Sequence, residues 1–188
     1  MSIFTIENNE ITKVTESRAN RIEIVGATLK FTNFSGKPGK YNSEGRRNFE
    51  IIIPDEAAED LYNAGWRIRK NGYDSKRDKR RTGDYDENLE DCEYRLRVNV
   101  NLDSGNPPRC FKKTSKNMIP LDESTIGSLD YSEIANVFVE INGYDSNKNG
   151  LLSGYLKTIV AEVADDKFEE LYGDFLALVG NDSDFPFD

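Results

Sequence analysis

The stretch Tyr94-Arg95-Leu96-Arg97-Val98-Asn99-Val100-Asn101-Leu102 alternates apolar and polar residues without a break. A strand points successive side chains to opposite faces, whereas a helix would scatter this pattern around its whole surface. The alternation predicts a half-buried strand. Tyr94, Leu96, Val98, Val100 and Leu102 face a core, and Arg95, Arg97, Asn99 and Asn101 share a wet face.

Other segments read the same way. Ile22-Glu23-Ile24 carries apolar residues at even positions, and Ala27, Leu29 and Phe31 continue the apolar series at odd ones. The slip at Val25-Gly26 predicts a bulge in a long bent strand. Phe49 to Ile53 suits a buried strand ending at Pro54. Asp55 to Ala64 then reads as a helix, with acids in its first turn and Gly65 as its stop. Trp66 to Lys70 predicts a strand with Trp66 and Ile68 on one face and Arg67 and Arg69 on the other. Further strands are expected from Arg109 to Thr114, over Ala135–Asn142 and over Leu151–Val163. Residues 71–88 form a charged excursion, expected as a mobile basic loop or an extended hairpin tip. Phe168, Leu171, Tyr172, Phe175, Leu176 and Val179 make one helical stripe, predicting a helix over 165–179.

Five or more antiparallel strands, a short internal helix and a bulged first strand point to a mainly β fold. An OB-fold-like barrel over residues 1–180 is expected, followed by a flexible acidic-aromatic tail over 181–188. A β-sandwich carries the same alternation, so pattern leaves both open. No apolar run approaches the roughly 18 residues of a membrane span, and the first thirty residues lack the apolar stretch of a signal peptide. A soluble, cytoplasmic protein without a membrane partner is the expectation.

The net charge of −9 argues against a polyanionic partner until its distribution is considered. From Glu162 onward there are nine acids and one base, so residues 1–161 carry a net charge of only −1. Within that body, Arg67 to Arg81 holds eight bases against Asp74 and Asp78. Lys37, Lys40, Arg46 and Arg47 form a second basic cluster, and Arg109, Lys112, Lys113 and Lys116 a third. A basic-patched body with an acidic leash is an argument about partners.

Catalytic signals are weak. Histidine is absent, which removes the commonest general base and zinc ligand together. Cys92 and Cys110 lack CxxC spacing and read as reduced thiols. Asp145-Ser146-Asn147-Lys148-Asn149-Gly150 fits the start of an EF-hand loop, but Leu156 stands where the bidentate glutamate belongs, so a hairpin turn is expected. Asp122 precedes a helical turn over Glu123 to Leu129 and is read as a cap. The chain is expected to be a non-enzyme without metal or cofactor; a metal-dependent nuclease is the weaker reading.

Single-stranded nucleic acid is held by a cationic groove along its phosphates and by aromatic rings that stack on bases. Candidates for that work are Arg46, Arg47, Arg67, Arg69, Lys70, Arg77, Arg80, Arg81, Arg95, Arg97 and Lys112, with Trp66 and Tyr73 as stacking rings. Tyr41 and Tyr85 lie near the same basic clusters. The opposite reading makes Trp66 and Phe49 core residues and the charge run a solvated loop.

Three segments add a resemblance. Arg47-Asn48-Phe49-Glu50-Ile51-Ile52-Ile53-Pro54-Asp55, then Ala64-Gly65-Trp66-Arg67-Ile68, then Gly154-Tyr155-Leu156-Lys157-Thr158 resemble a group of tailed-phage proteins regarded as single-stranded-DNA-binding proteins of OB-fold type. The likeness runs over roughly residues 20–175 in order and spacing. It implies a protein that coats single-stranded DNA, without marked sequence preference, in phage replication or recombination. The segment Asp182-Ser183-Asp184-Phe185-Pro186-Phe187-Asp188 resembles the acidic tips of T7-like and bacterial single-stranded-DNA-binding proteins. That likeness implies competition between Asp182, Asp184, Phe185, Pro186, Phe187 and Asp188 and DNA for the groove, and recruitment of phage or host replication proteins. Asp188 follows Phe187 where the family commonly ends on its aromatic, so a partner pocket meets a different geometry. The bland alternative for this tail is a frayed end. For the whole chain the alternative is a phage interaction or virion-assembly protein, with the last helix's stripe making a homo-oligomer.

Overall fold

The computed structural model describes residues 1–40, 42–74, 79–84, 90–146, 148 and 150–164, and within 72–91 it describes the backbone. The expected helix over 165–179, the tail 181–188, Tyr41, Tyr85 and Arg77 lie outside these residues.

Twelve strands dominate: β1 (Ser2–Glu7), β2 (Glu10–Glu16), β3 (Asn20–Val25), β4 (Leu29–Asn33), β5 (Arg47–Ile53), β6 (Ile68–Asp74), β7 (Lys79–Asp84), β8 (Glu90–Val100), β9 (Arg109–Lys113), β10 (Met118–Leu121), β11 (Ile134–Tyr144) and β12 (Ser153–Val163). One α-helix, α1 (Asp55–Asn63), and a 3-10 turn over Ile126–Tyr131 complete the described elements. The mainly β expectation holds. Two parts of the barrel expectation change: the barrel is not closed, and the pairing is not purely antiparallel. The sheet is mixed, with β1–β3, β8–β12 and β9–β12 parallel. Its pairing path, β2-β1-β3-β11-β12-β8-β5-β4, has two ends and does not close through ladder hydrogen bonds. Alternation is identical in parallel and antiparallel strands, so strand direction was not written in the pattern.

The bend at Gly26 behaves as expected. The N–H groups of Gly26 and Ala27 both donate to Val137 O on the β11 side, and Ile52 N–H donates to Thr28 O on the β5 side. β3 and β4 are thus two arms of one bent segment, facing different neighbours. A second irregularity follows in β4. Lys30 stands opposite Glu50 and Asn33 opposite Asn48, leaving Phe31 and Thr32 against one residue of β5. This bulge shifts the side-chain parity. Phe34 takes the core position, with its ring 5.1 Å from that of Phe49, and Phe31 is turned outward. The expected place of Phe31 in the apolar series is therefore overturned.

The N-terminal hairpin was not foreseen. Asn8 and Asn9 both have positive φ, 51° and 68°, the two-residue turn that joins twisted antiparallel strands. The 71–88 excursion is, over its described backbone, a two-stranded ribbon with Tyr73 opposite Arg80 and Gly72 opposite Arg81. The hairpin alternative for that stretch thus describes it better than a loop, because β6 also pairs with β8 and is held in line by it.

α1 ends as its sequence predicts. Gly65 has φ +88°, its N–H donates to Tyr62 O, and Trp66 N–H donates to Leu61 O. This double bond pattern satisfies two carbonyls of the last turn and requires a residue that tolerates the left-handed conformation. It also delivers Trp66 straight into the core, where it is fully buried beside Ile68, Leu61 and Ile141. Gly143 makes room for it. A Cβ there would lie 2.7 Å from the indole. The helical turn expected over Glu123 to Leu129 is a 3-10 turn over Ile126–Tyr131 whose N-cap is Thr125; Asp122 Oδ1 instead accepts from the N–H groups of Ser124 and Thr125 in the turn ahead of it. The 145–150 segment is the β11–β12 hairpin turn, closed by Gly150 N–H donating to Asp145 Oδ2 at 2.9 Å. No disulfide joins Cys92 and Cys110, and burial pushes the Cys110 thiol up to about 12. Among the described residues no helix is long and apolar enough to cross a membrane.

Candidate nucleic-acid interface

Alternation along β8 buries Leu96, Val98 and Val100 and turns Arg95, Arg97 and Asn99 to the other face, as the sequence predicts. Four chain segments meet over the Arg97 end of that face. Arg46 precedes β5, whose Asn48 pairs with Asn99 of β8. Arg67 is held by its N–H donating to Leu152 O, and Leu152 N–H donates back to Gly65 O. Arg69 of β6 stands opposite Arg95 of β8. Tyr155 of β12 stands opposite Asn99. The result is a groove of about 390 Å3 lined by Arg46, Arg67, Arg69 and Arg97, with Asn99, Ser146, Ser153 and Tyr155 completing its walls.

The four guanidiniums are under-compensated among the described residues. Among the described residues none of them forms an ion pair, although Glu50 stands directly across from Arg97 in register. Glu50 gives its carboxylate to Arg95 instead, at 3.4 Å. Burial, then repulsion from Arg46 and Arg69, holds the Arg97 guanidinium below its ordinary range; Glu50 only partly opposes this. Nε and Nη2 of Arg67 are buried without an acceptor. A buried donor left unmet costs on the order of 1–3 kcal/mol, more when charged. An anion with several oxygens would remove that cost and the mutual repulsion together.

The groove is also preorganised. Arg97 Nη2 donates to Asn42 Oδ1 at 3.0 Å, and the same oxygen accepts from Asn48 Nδ2 at 2.9 Å. Asn99 Nδ2 donates to Gly154 O at 3.1 Å. At the β11–β12 end, Tyr155 meets the exposed Tyr144 edge-on, with ring centroids 5.7 Å apart. These tyrosines escaped the sequence reading, although Tyr155 alternates with buried Leu156 and so carried a signal of its own.

The other candidates are dispersed. Trp66 is fully buried and packed under Gly143, so it cannot stack on a base; its arginine neighbours concealed a core residue. Lys70 is also buried, on the face opposite Arg69, with its Nζ over the Tyr94 ring. Arg47 is on the core-facing side of β5 and donates to Glu123 at 3.1 Å. Arg95 is bound to Glu50 and Glu93. Lys112 lies on β9 opposite Ala161, away from the groove lining. Tyr73, Arg80 and Arg81 are on the β6–β7 ribbon, where the backbone alone is described. Arg77 and the tail residues Asp182, Asp184, Phe185, Pro186, Phe187 and Asp188 fall outside the described residues.

A groove lined by four guanidiniums that form no ion pair among the described residues, with an aromatic wall, has the chemistry that suits a polyanion. Residues 11–183 match the family described as "Putative phage ssDNA-binding domain", and the chain belongs to that family. No curated protein matches it.

Proposed function

We propose that the protein coats single-stranded DNA without strong sequence preference during phage replication or recombination, as a non-enzymatic protein of the host cytoplasm. The observation that carries this reading is the set of four guanidiniums, Arg46, Arg67, Arg69 and Arg97, which form no ion pair among the described residues. They would take phosphates, and Tyr155 with Tyr144 would stack on bases at the groove's end. Phosphate contacts carry no sequence information, which fits coating rather than site recognition. An OB-type core is supported by the order β4-β5-β8-β12-β11-β3, in which β3 and β4 are arms of one bent segment and β8 runs parallel to β12. Such barrels are partly open and bind along strands two and three, here β5 and β8.

Family membership supports single-stranded DNA as ligand. The β6–β7 ribbon, with Tyr73, Arg77, Arg80 and Arg81, would close over the bound strand. The acidic tail would compete for the groove and recruit replication proteins once displaced. The test is fluorescence anisotropy of labelled oligo-dT across a salt series. Affinity should fall steeply with salt, and removing residues 181–188 should raise it. Unchanged affinity at low salt after truncation would refute tail competition. No binding at micromolar protein would refute the DNA role and favour an interaction or assembly protein.

A further inference from the structure

Phe31 is an aromatic ring in an unusual place. It is 65% exposed, although it begins as part of an apolar strand series. Its φ is +51°, in the left-handed region that a bulky side chain rarely occupies. The bulge in β4 creates that conformation and aims the ring outward. Strained residues of this kind persist where the surroundings over-determine them, and they concentrate at ligand sites. One neighbour holds this ring. The Arg95 guanidinium carbon lies 5.0 Å from the ring centroid, and Arg95 is itself fastened to Glu50 and Glu93. A fixed cation therefore supports the ring from beneath, and much of the ring remains open to solvent.

The position relative to the groove gives the ring a purpose. Arg95 and Arg97 share one face of β8 two residues apart, about 7 Å at the usual strand rise. Tyr155 stands beside Asn99, four residues from Arg95 and about 14 Å away by the same measure. Phe31 thus lies beyond the arginines at the far end of one surface from Tyr155.

We propose that Phe31 is a base-stacking platform that extends the DNA track past the arginine groove and across the Arg95 patch. This inference rests on reading that outer face as the DNA surface. The strand would run from Tyr155 over the guanidiniums, where its phosphates are held, to Phe31, where a base lies on the ring. Paired carboxylates around Arg95 make that patch poor at holding phosphate, so the contact there is made by stacking. Stacking on a ring is tolerant of sequence because every base has a π-face.

The test compares oligo-dT with an abasic oligonucleotide of equal length, by anisotropy, for the unaltered protein and for Phe31→Gly. Glycine suits the positive φ, so the urea midpoint should stay the same or rise. Affinity for oligo-dT should fall about 5- to 100-fold, and affinity for the abasic strand should change less than about twofold. An equal loss on both strands would show that Phe31 only shapes backbone contacts and would overturn the proposal. So would an unchanged affinity for oligo-dT. A second variant, Phe31→Trp, keeps the ring and adds a fluorophore to a chain whose own tryptophan is buried. Its emission should be quenched by oligo-dT and not by the abasic strand; an unquenched signal during binding overturns the proposal. Failure of the unaltered protein to bind oligo-dT would sink the DNA reading itself, and this inference with it. Binding at unchanged affinity after the loss of Phe31 sinks this inference alone.

Discussion

Arg95 and Arg97 stand two residues apart on one face of β8, and their surroundings differ completely. Arg95 is tied to Glu50 and Glu93, with Lys30 also paired to Glu93. Arg97 meets Arg46, Arg67 and Arg69 and, for a hydrogen bond, the neutral Asn42. Farther off, Glu140 gathers Arg21 at 2.8 Å, Lys157 at 2.7 Å and Arg109 at 3.9 Å around one carboxylate. Arginine alone is therefore no sign of a site. Where carboxylates neutralise it, it organises the sheet surface. Where they are missing, the repulsion is retained until an anion arrives, and that retained cost is what a ligand can relieve.

Removing the groove's charges gives the largest effect on binding. The double variant Arg67→Ala/Arg97→Ala should weaken oligo-dT binding by at least about 100-fold, from two charge-assisted contacts of about 1.5–3 kcal/mol each. The slope of log affinity against log salt should drop by about 1.4, from about 0.7 per lost phosphate contact on a single strand. Anisotropy titrations across a salt series check both values. A full loss of affinity with an unchanged slope would mean that these residues support the fold instead of holding phosphate.

Converting the groove into a compensated patch comes next. Asn99→Asp places a carboxylate among the arginines and should cost about tenfold in DNA affinity, about 1.4 kcal/mol. The full attraction of about 4 kcal/mol at 4 Å and an effective dielectric of 20 is reduced because the groove is open to salt. Because the aspartate cannot donate to Gly154 O as Asn99 Nδ2 does, the urea midpoint of this variant should fall, by about 1 kcal/mol of stability. If affinity is unmoved, the arginines are not acting as one cluster.

The reverse exchange has a smaller effect. Glu50→Gln removes the carboxylate opposite Arg97 and frees part of Arg95, and should raise affinity about threefold, near 0.7 kcal/mol for a part-exposed pair. A loss in the same titration would show that the Glu50–Arg95 pair positions the surface.

The last contrast is in pH. Burial works to raise the Glu140 carboxyl, but hydrogen bonds from Lys157 and Thr158 and the charges of Lys157 and Arg21 outweigh it and hold it below the ordinary glutamate value. A depressed carboxyl stabilises fully above its unfolded value and is lost as pH falls through its folded one. Urea midpoints should therefore decline from about pH 5 downward, and Glu140→Gln should flatten that decline while lowering stability at pH 7. An identical acid profile in the variant would assign the decline to other carboxylates. DNA affinity, resting on guanidiniums, should be flat across pH 5 to about 8.

Local order was legible in the chain. The nine-residue alternation that runs through β8 and two residues past its end, the acid-started and glycine-stopped α1, the bend at Gly26 and the 145–150 turn each follow from neighbours along the sequence. Trp66 shows a signal that was present and could be outvoted. It alternates with Arg67 in step with Ile68, which places it in the core, yet its arginine flanks suggest a stacking ring. The two-asparagine turn at Asn8-Asn9 was likewise readable, between two short alternating runs. Phe31 was not, since a bulge depends on what the facing strand offers.

The sequence by itself determined the strand periods, the helix ends, and a near-neutral body carrying surplus arginine in local clusters, because those properties depend on neighbouring residues and on side-chain chemistry. Only the tertiary structure decided which arginines meet. Residues 46, 67, 69 and 97 converge through β5–β8 and β6–β8 pairing and the Trp66–Leu152 bridge, contacts between segments far apart in the chain. Register and strand direction select the partners of each charge, and alternation is blind to both. Among the described residues, that choice left Arg97 without an ion pair and gave Arg95 two.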